Sequence, residues 1–369
     1  MQAILISCYT DKTNLIKLIK SFNDEMNVYV HIDSTSKEIS EGDLDFLNFK
    51  NLSVIKRYNT AWGAYGHLLA IIDLMKLAIA NEKNNFIHII SGQDYKIKTN
   101  HYFHRNFENN DNIYFSVTHP KDLPKEFEER YTKGMFSSYF SLKNEKAVKI
   151  NTLYQSLSNK GHIGEFEDVY KGVLWSSMPI KICKYVLNYI ESNPQFLEDL
   201  KHCIIPEEFF FQTIIMNSKY KSNVIPTTLR YVDWTYRNGN RPAILDETDF
   251  IKFKGSNFLF VRKVETGISD ELIKLIDENL LKEDKNLLKE EVIDKNDLIN
   301  TIRQKEFKYL PNSTYDIIGK YDDNISCQEL FEIFDEIIED SSLWLGDTTE
   351  KCEEMLSYFD YILEKYELY

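Results

Sequence analysis

Phe86-Ile87-His88-Ile89-Ile90, closed by Ser91-Gly92-Gln93-Asp94-Tyr95, decides how the first hundred residues fold. A short apolar run stopped by turn-forming residues reads as a central, buried strand. Upstream of it, Ala64 to Asn81 carries apolar residues at helical spacing, and Ser53-Val54-Ile55 is a short strand. Asn27-Val28-Tyr29-Val30-His31-Ile32-Asp33 is another strand, ended by Ser34-Thr35-Ser36. Lys12 to Phe22 has the spacing of an amphipathic helix, and Ala3-Ile4-Leu5-Ile6-Ser7 reads as the first strand. Strands alternating with helices predict βαβ units and a parallel sheet. Ligands of such sheets bind beyond the carboxyl ends of the strands. Asp33 and Asp94 fall at such ends and are cleft candidates, with turn-forming aspartate the equal alternative for each.

Toward the C-terminus the pattern weakens from Asn100 to Lys160, where Ile113 to Val117 is the clearest strand. Lys171 to Pro179 reads as a strand feeding a turn, and Ile180 to Glu191 as an amphipathic helix. Then comes Ile205-Pro206-Glu207-Glu208-Phe209-Phe210-Phe211-Gln212-Thr213. Proline suits a first helical turn, and the two glutamates lie at the favourable end of the helix dipole. The aromatic block behind them makes this a buried helix, so one glutamate is expected to face the interior or a cleft. Desolvation there would raise its pKa and suit it to general-base work. A capped core helix with solvent-facing acids is the alternative. Val224-Ile225-Pro226 and Leu229 to Trp234 read as strands, and Arg237 to Lys263 as a basic, loop-rich stretch. Beyond Gly267 the chain turns rich in Lys, Glu, Asp and Leu. This predicts an α/β domain over 1–264 and an acidic helical region over 265–369.

The 369 residues are 43% hydrophobic and carry a net charge of −14. That length suffices for a sizeable core, and the acidic balance argues against nucleic acid as a partner. Five cysteines (Cys8, Cys183, Cys203, Cys327, Cys352) are scattered without CxxC spacing. They point to a reducing compartment and no zinc site. The N-terminus lacks the features of a signal peptide, and no apolar run approaches a membrane span. A cytoplasmic protein is expected, with at most peripheral membrane association.

Sequence motifs narrow the chemistry. No P-loop, dinucleotide fingerprint or GxSxG elbow is present. His101 and His104 are spaced for one helix face but have no third metal ligand in view. Asp43-Leu44-Asp45 is a literal DxD, yet it follows no hydrophobic strand and reads as a solvated turn.

Several separated pieces, taken together and in order, resemble one family. They are His31 to Ser36, Ala61-Trp62-Gly63 ahead of a helix, and Ser91 to Ile97. Gly172 to Trp175, Pro206-Glu207-Glu208, Leu229 to Trp234 and Ser256 to Lys263 complete the set. The chain resembles the core-2/I-branching β-1,6-N-acetylglucosaminyltransferases, which share a family with the peptide O-xylosyltransferases. Nothing after about residue 265 takes part.

That resemblance implies a GT-A-type (Rossmann-like) fold, a UDP-sugar donor, a saccharide or lipid-linked glycan acceptor, and inverting transfer without metal or other cofactor. It implies that Glu208 is the catalytic base, with Glu207 left to cap the helix. On the donor side it implies Asp33, Trp62, Arg241, Arg262 and Lys263, a lysine and an arginine taking the diphosphate in place of a metal. On the acceptor side it implies Asp94, Arg130, Trp234 and Tyr236. The animal enzymes carry a membrane anchor, a stem and disulfides. This chain is more similar to a bacterial, cytoplasmic relative that builds a surface glycan. A xylosyltransferase or another UDP-sugar transferase is the near alternative. A glycoside hydrolase using Glu208 with a second acid, or a non-catalytic sugar-nucleotide-binding protein, are the remoter ones.

Overall fold

The computed structural model describes residues 1–123, 125–132, 163, 166 and 168–282. The first half follows the predicted alternation: β1 (Gln2–Cys8), α1 (Lys12–Phe22), β2 (Asn27–Ile32), β3 (Leu52–Lys56), α2 (Tyr65–Ala80) and β4 (Phe86–Ser91). All four strands run parallel, with β1 at their centre between β2 and β4. Their alternate residues feed two separate cores. Ile4, Ile6, Val28, Val30, Phe86 and Ile90 pack on one face. Ala3, Leu5, Tyr29, Ile87 and Ile89 pack on the other. Apolar side chains on both faces explain why these strands read as continuous hydrophobic runs.

The sheet is not parallel throughout. After β5 (Asp94–Lys96), α3 (Asn100–Phe107), β6 (Ile113–Tyr114) and α4 (Lys125–Thr132), strand β7 (Ser177–Pro179) pairs antiparallel with β4. Two helices, α5 (Ile180–Ser192) and α6 (Pro194–Lys201), follow, then α7 (Glu207–Met216) and β8 (Val224–Ile225). The seven strands run β3-β2-β1-β4-β7-β6-β8. The parallel sheet expected of the first hundred residues is present in β1 to β4, and it continues into a mixed half. Only the last three residues of the Lys171–Pro179 stretch form its strand.

A second sheet, β5-β10-β9, comprises β5, β9 (Arg230–Val232) and β10 (Phe260–Arg262). The buried Arg230 ties it to the main sheet, donating to Ser177 Oγ at 2.7 Å and to the carbonyls of Ile89 and Ser176 at 2.9 Å. Burial pushes this guanidinium down to about 9, the Asp94 charge opposing. The short helix α8 (Phe250–Phe253) lies in the Arg237–Lys263 stretch, and α9 (Asp270–Asn279) follows β10. Leu272, Ile273 and Ile276 of α9 are buried in the same core as β1, so the packed domain continues past residue 264. The remainder of the acidic C-terminal region, with Cys327 and Cys352, lies outside the described residues. Cys8, Cys183 and Cys203 are buried and not joined in disulfides. Among the described residues, no helix is long and apolar enough to cross a membrane.

Candidate active site

Helix α7 begins where the sequence places it. Pro206 is its N-cap residue, and no side chain caps the helix. Phe209, Phe210, Phe211, Ile214 and Ile215 are fully or almost fully buried, which seats α7 in the second core. Each such side chain stabilises the seat by roughly 1.5–3 kcal/mol. The chain enters through Ile205, held at φ 54. Its N–H donates to the Gly63 carbonyl at 3.2 Å, joining the loop that carries Trp62 to the start of α7.

Glu207 and Glu208 both turn inward, and they differ in their partners. Glu207 is 6% exposed, and its Oε1 lies 3.0 Å from Nδ1 of His67 in the first turn of α2. Its Oε2 is buried and unpartnered. The capping role expected of Glu207 is therefore corrected to a side-chain pair with His67. The Glu208 side chain is 19% exposed and sits against two cations, Arg130 and Lys171. Arg130 Nη1 and Lys171 Nζ each lie 3.0 Å from Glu208 Oε2. Oε1 has no partner among the described residues.

Electrostatics reverse one expectation. Desolvation does push the Glu208 carboxyl up, but the charges of Lys171 and Arg130 and their hydrogen bonds outweigh it. The pKa lies below the ordinary glutamate range instead of above it, so the group is ionised at neutral pH. A base needs its unprotonated form and a reachable lone pair, and Glu208 Oε1 has both.

Glycine packing positions the cations. The Gly172 N–H donates to the Glu208 carbonyl at 2.8 Å. A Cβ at Gly172 would lie 1.9 Å from the Ser116 carbonyl oxygen and 2.6 Å from Gln212 Nε2, so only glycine lets this strand-like segment approach α7. Lys171, next in line, is thereby delivered to Glu208. Arg130 comes from α4 and also donates to the Ile204 carbonyl through Nε and Nη2, at 3.4 and 3.1 Å. Its place is beside Glu208, as a counter-ion.

The remaining site residues fall into two groups. Asp33 is buried at the end of β2, where Oδ1 accepts from the Thr35 N–H and hydroxyl and Oδ2 from those of Thr60. Desolvation pushes this carboxyl up, but those four hydrogen bonds prevail and hold it low. Asp33 organises the loop ahead of Trp62, whose side chain is 46% exposed. Asp43 of the DxD caps a short helix, accepting from Ser40, and pairs with Lys12 at 3.2 Å.

Asp94 opens β5 instead of closing β4. Its Oδ2 accepts from the Ser91 N–H at 2.5 Å, and Arg262 Nη1 lies 3.0 Å from its Oδ1. Arg262 Nη1 also donates to Ser91 Oγ. No other guanidinium nitrogen of Arg262 has a partner among the described residues. The Arg262 guanidinium lies 4.2 Å from the ring centroid of Trp175. The Lys263 carbonyl accepts from the Leu245 N–H at 2.8 Å, and Arg241 Nε donates to the Trp234 carbonyl at 3.1 Å. The loop bearing Arg241 is thus laced to the ends of both β9 and β10. Trp234 and Tyr236 stand out from it, 43% and 75% exposed. Lys171, His67 and Trp175 were not singled out from sequence. Their only signal was position: Lys171 and Trp175 flank or close the Gly172–Trp175 piece, and His67 follows Gly63. Among the described residues, no three His, Cys, Asp or Glu side chains gather as a metal site would require.

Comparison with known proteins fits this arrangement. The Core-2/I-Branching enzyme family matches residues 3–254. Xylosyltransferase 1 of Mus musculus is 22% identical over 275 residues, covering 68% of this chain and 27% of its own length. The Rattus norvegicus xylosyltransferase 1 is likewise 22% identical over 275 residues, covering 68% of this chain and 32% of its own length. This chain therefore spans about a third or less of the curated relatives it matches. The crystal structure of S. aureus TarS 1–349 overlaps with a TM-score of 0.29 at 12% identity, over 61% of this chain and 57% of that one, too loosely to carry weight. With more than half its length matched, the chain belongs to the Core-2/I-Branching enzyme family.

Proposed function

We propose that this chain moves a sugar from a UDP-sugar to a saccharide hydroxyl with inversion, and that Glu208 Oε1 is the atom that takes the proton. The observation that carries the reading is the division of labour within one carboxylate. Oε2 is held by two cations and Oε1 is left open at a partly exposed position. As the acceptor oxygen attacks the anomeric carbon, its proton passes to Oε1 and the bond to the UDP oxygen breaks. Departing diphosphate needs positive charge. Arg262, Lys263 and Arg241, at or beside the ends of β9 and β10, supply it in this reading, and no metal is required. Trp234 and Tyr236 offer ring faces against which apolar sugar faces pack. N-acetylglucosamine and xylose are the donor sugars in view, with a bacterial surface glycan as the acceptor setting. A panel of UDP-GlcNAc, UDP-Xyl, UDP-Gal and UDP-Glc, screened by thermal shift and then by transfer to a glycan array, tests the proposal. Stabilisation by UDP-sugars with transfer supports it; binding of none of the four overturns it.

A further inference from the structure

We propose that His67 is a positioning residue that couples the donor-side cation Arg262 to the helix turn carrying Glu208. The proposal deepens, and rests on, the glycosyl-transfer reading above. Four residues from four separate segments form an unbroken chain of contacts. The Arg262 guanidinium lies 4.2 Å from the Trp175 ring centroid. The Trp175 and His67 ring centroids are 6.2 Å apart with planes tilted by 58°. His67 Nδ1 lies 3.0 Å from Glu207 Oε1. Glu207 precedes the base in the same helical turn.

Both ends of this chain matter to the chemistry. Glu207 Oε2 already lacks a partner, so loss of His67 would leave a buried carboxylate with neither oxygen paired. Such a group is driven toward water, and the first turn of α7 would move with it. Misplacing a reacting group by about 1 Å costs about 100-fold in rate. At the other end, the Trp175 ring holds the guanidinium plane, whose remaining donors have no partner among the described residues. His67 packs against that ring at a tilt. Donor charge and acceptor base are thereby held in one register.

Three substitutions in the full-length chain separate this role from space-filling. His67→Ala removes the ring, His67→Leu refills the space without an N–H, and His67→Asn restores a donor at the Nδ1 position. With thermal melts confirming the fold, kcat falls by about 10–100-fold in His67→Ala and His67→Leu. Most of it returns in His67→Asn, which restores the Glu207 contact, while the donor KM, raised by loss of the ring beside Trp175, does not recover. Wild-type kcat in His67→Leu, or no recovery in His67→Asn, would overturn the proposal. Should a His67 variant not fold, Trp175→Phe reads the other contact. A raised donor KM there supports the coupling, and unchanged kinetics overturn it. If the wild type transfers no sugar at all, the glycosyl-transfer reading fails on its own. The Trp175 indole N–H resonance then still reports the stack in ¹H–¹⁵N NMR spectra. It shifts between wild type and His67→Asn if the rings are coupled, and an unmoved signal sinks the proposal.

Discussion

Lys171 Nζ lies 3.0 Å from Glu208 Oε2, on the same oxygen that Arg130 holds. A carboxylate clamped in this way is ionised yet intrinsically weak as a base. In the proposed mechanism its other oxygen meets the acceptor.

Glu208→Gln tests that assignment. The amide keeps the shape but cannot accept the proton, so transfer should fall by about 10²–10⁴-fold. UDP affinity, measured by calorimetry, should be nearly unchanged. Retained turnover would remove Glu208 from the mechanism.

Removing Lys171 should shift the pH profile in a defined direction. The Glu208 pKa is depressed in the folded protein, so activity that needs the carboxylate extends to unusually low pH. Lys171→Met takes away the largest lowering influence while burial remains. The acid limb of kcat/KM should then move to higher pH, and a limb that moves down or stays fixed contradicts the ion pair.

Asp33→Asn should weaken the fold. Four donors converge on the Asp33 carboxylate, and an amide cannot accept them all. A loss of about 2–4 kcal/mol is expected, read by urea titration. Because the folded pKa is lowered, the Asp33 contribution is present above the unfolded aspartate pKa and is lost as pH falls through the folded one. The gap between wild type and variant should therefore close in acid.

Gly172→Ala should be costly although Gly172 lies outside the left-handed region. The new methyl meets the Ser116 carbonyl at 1.9 Å. Overpacking of this kind costs about 3 kcal/mol or more, a fall of roughly 5–10 °C in Tm. Differential scanning calorimetry reads it directly.

Chelation provides an independent check on the diphosphate site. Transfer should survive excess EDTA and drop when Arg262 or Lys263 becomes alanine. Strict dependence on a divalent ion would point away from these cations.

Much of this fold could be read from sequence, for a physical reason. The strands β1 to β4 have apolar side chains on both faces, and the helices between them carry clear spacing. The mixed half of the sheet was harder, because β6, β7 and β8 are two or three residues long and leave no period. The same holds for β5, which made Asp94 look like the end of a neighbouring strand. Helix α9 looked like part of an acidic appendage because Asp270, Glu271, Asp277 and Glu278 dominate its composition. Its Leu272, Ile273 and Ile276 nevertheless bury in the first core. A glutamate turned inward at this helix start was legible from Pro206 and the aromatic block behind it, while the choice of Glu208 over Glu207 came from the family resemblance. The direction of the Glu208 pKa shift was not legible, since Arg130 and Lys171 reach it from other segments and no local pattern announces their arrival.

The alternation along β1, β2 and β4 has one more effect. Arg262 extends from a small sheet whose apolar residues sit in the first core, while Glu208 begins a helix anchored in the second. The two sets of residues that the proposed reaction uses thus rest on separate foundations divided by a single layer of backbone. Packing damage beneath one should loosen the residues it carries directly, and reach the other set through the Arg262–Trp175–His67–Glu207 contacts.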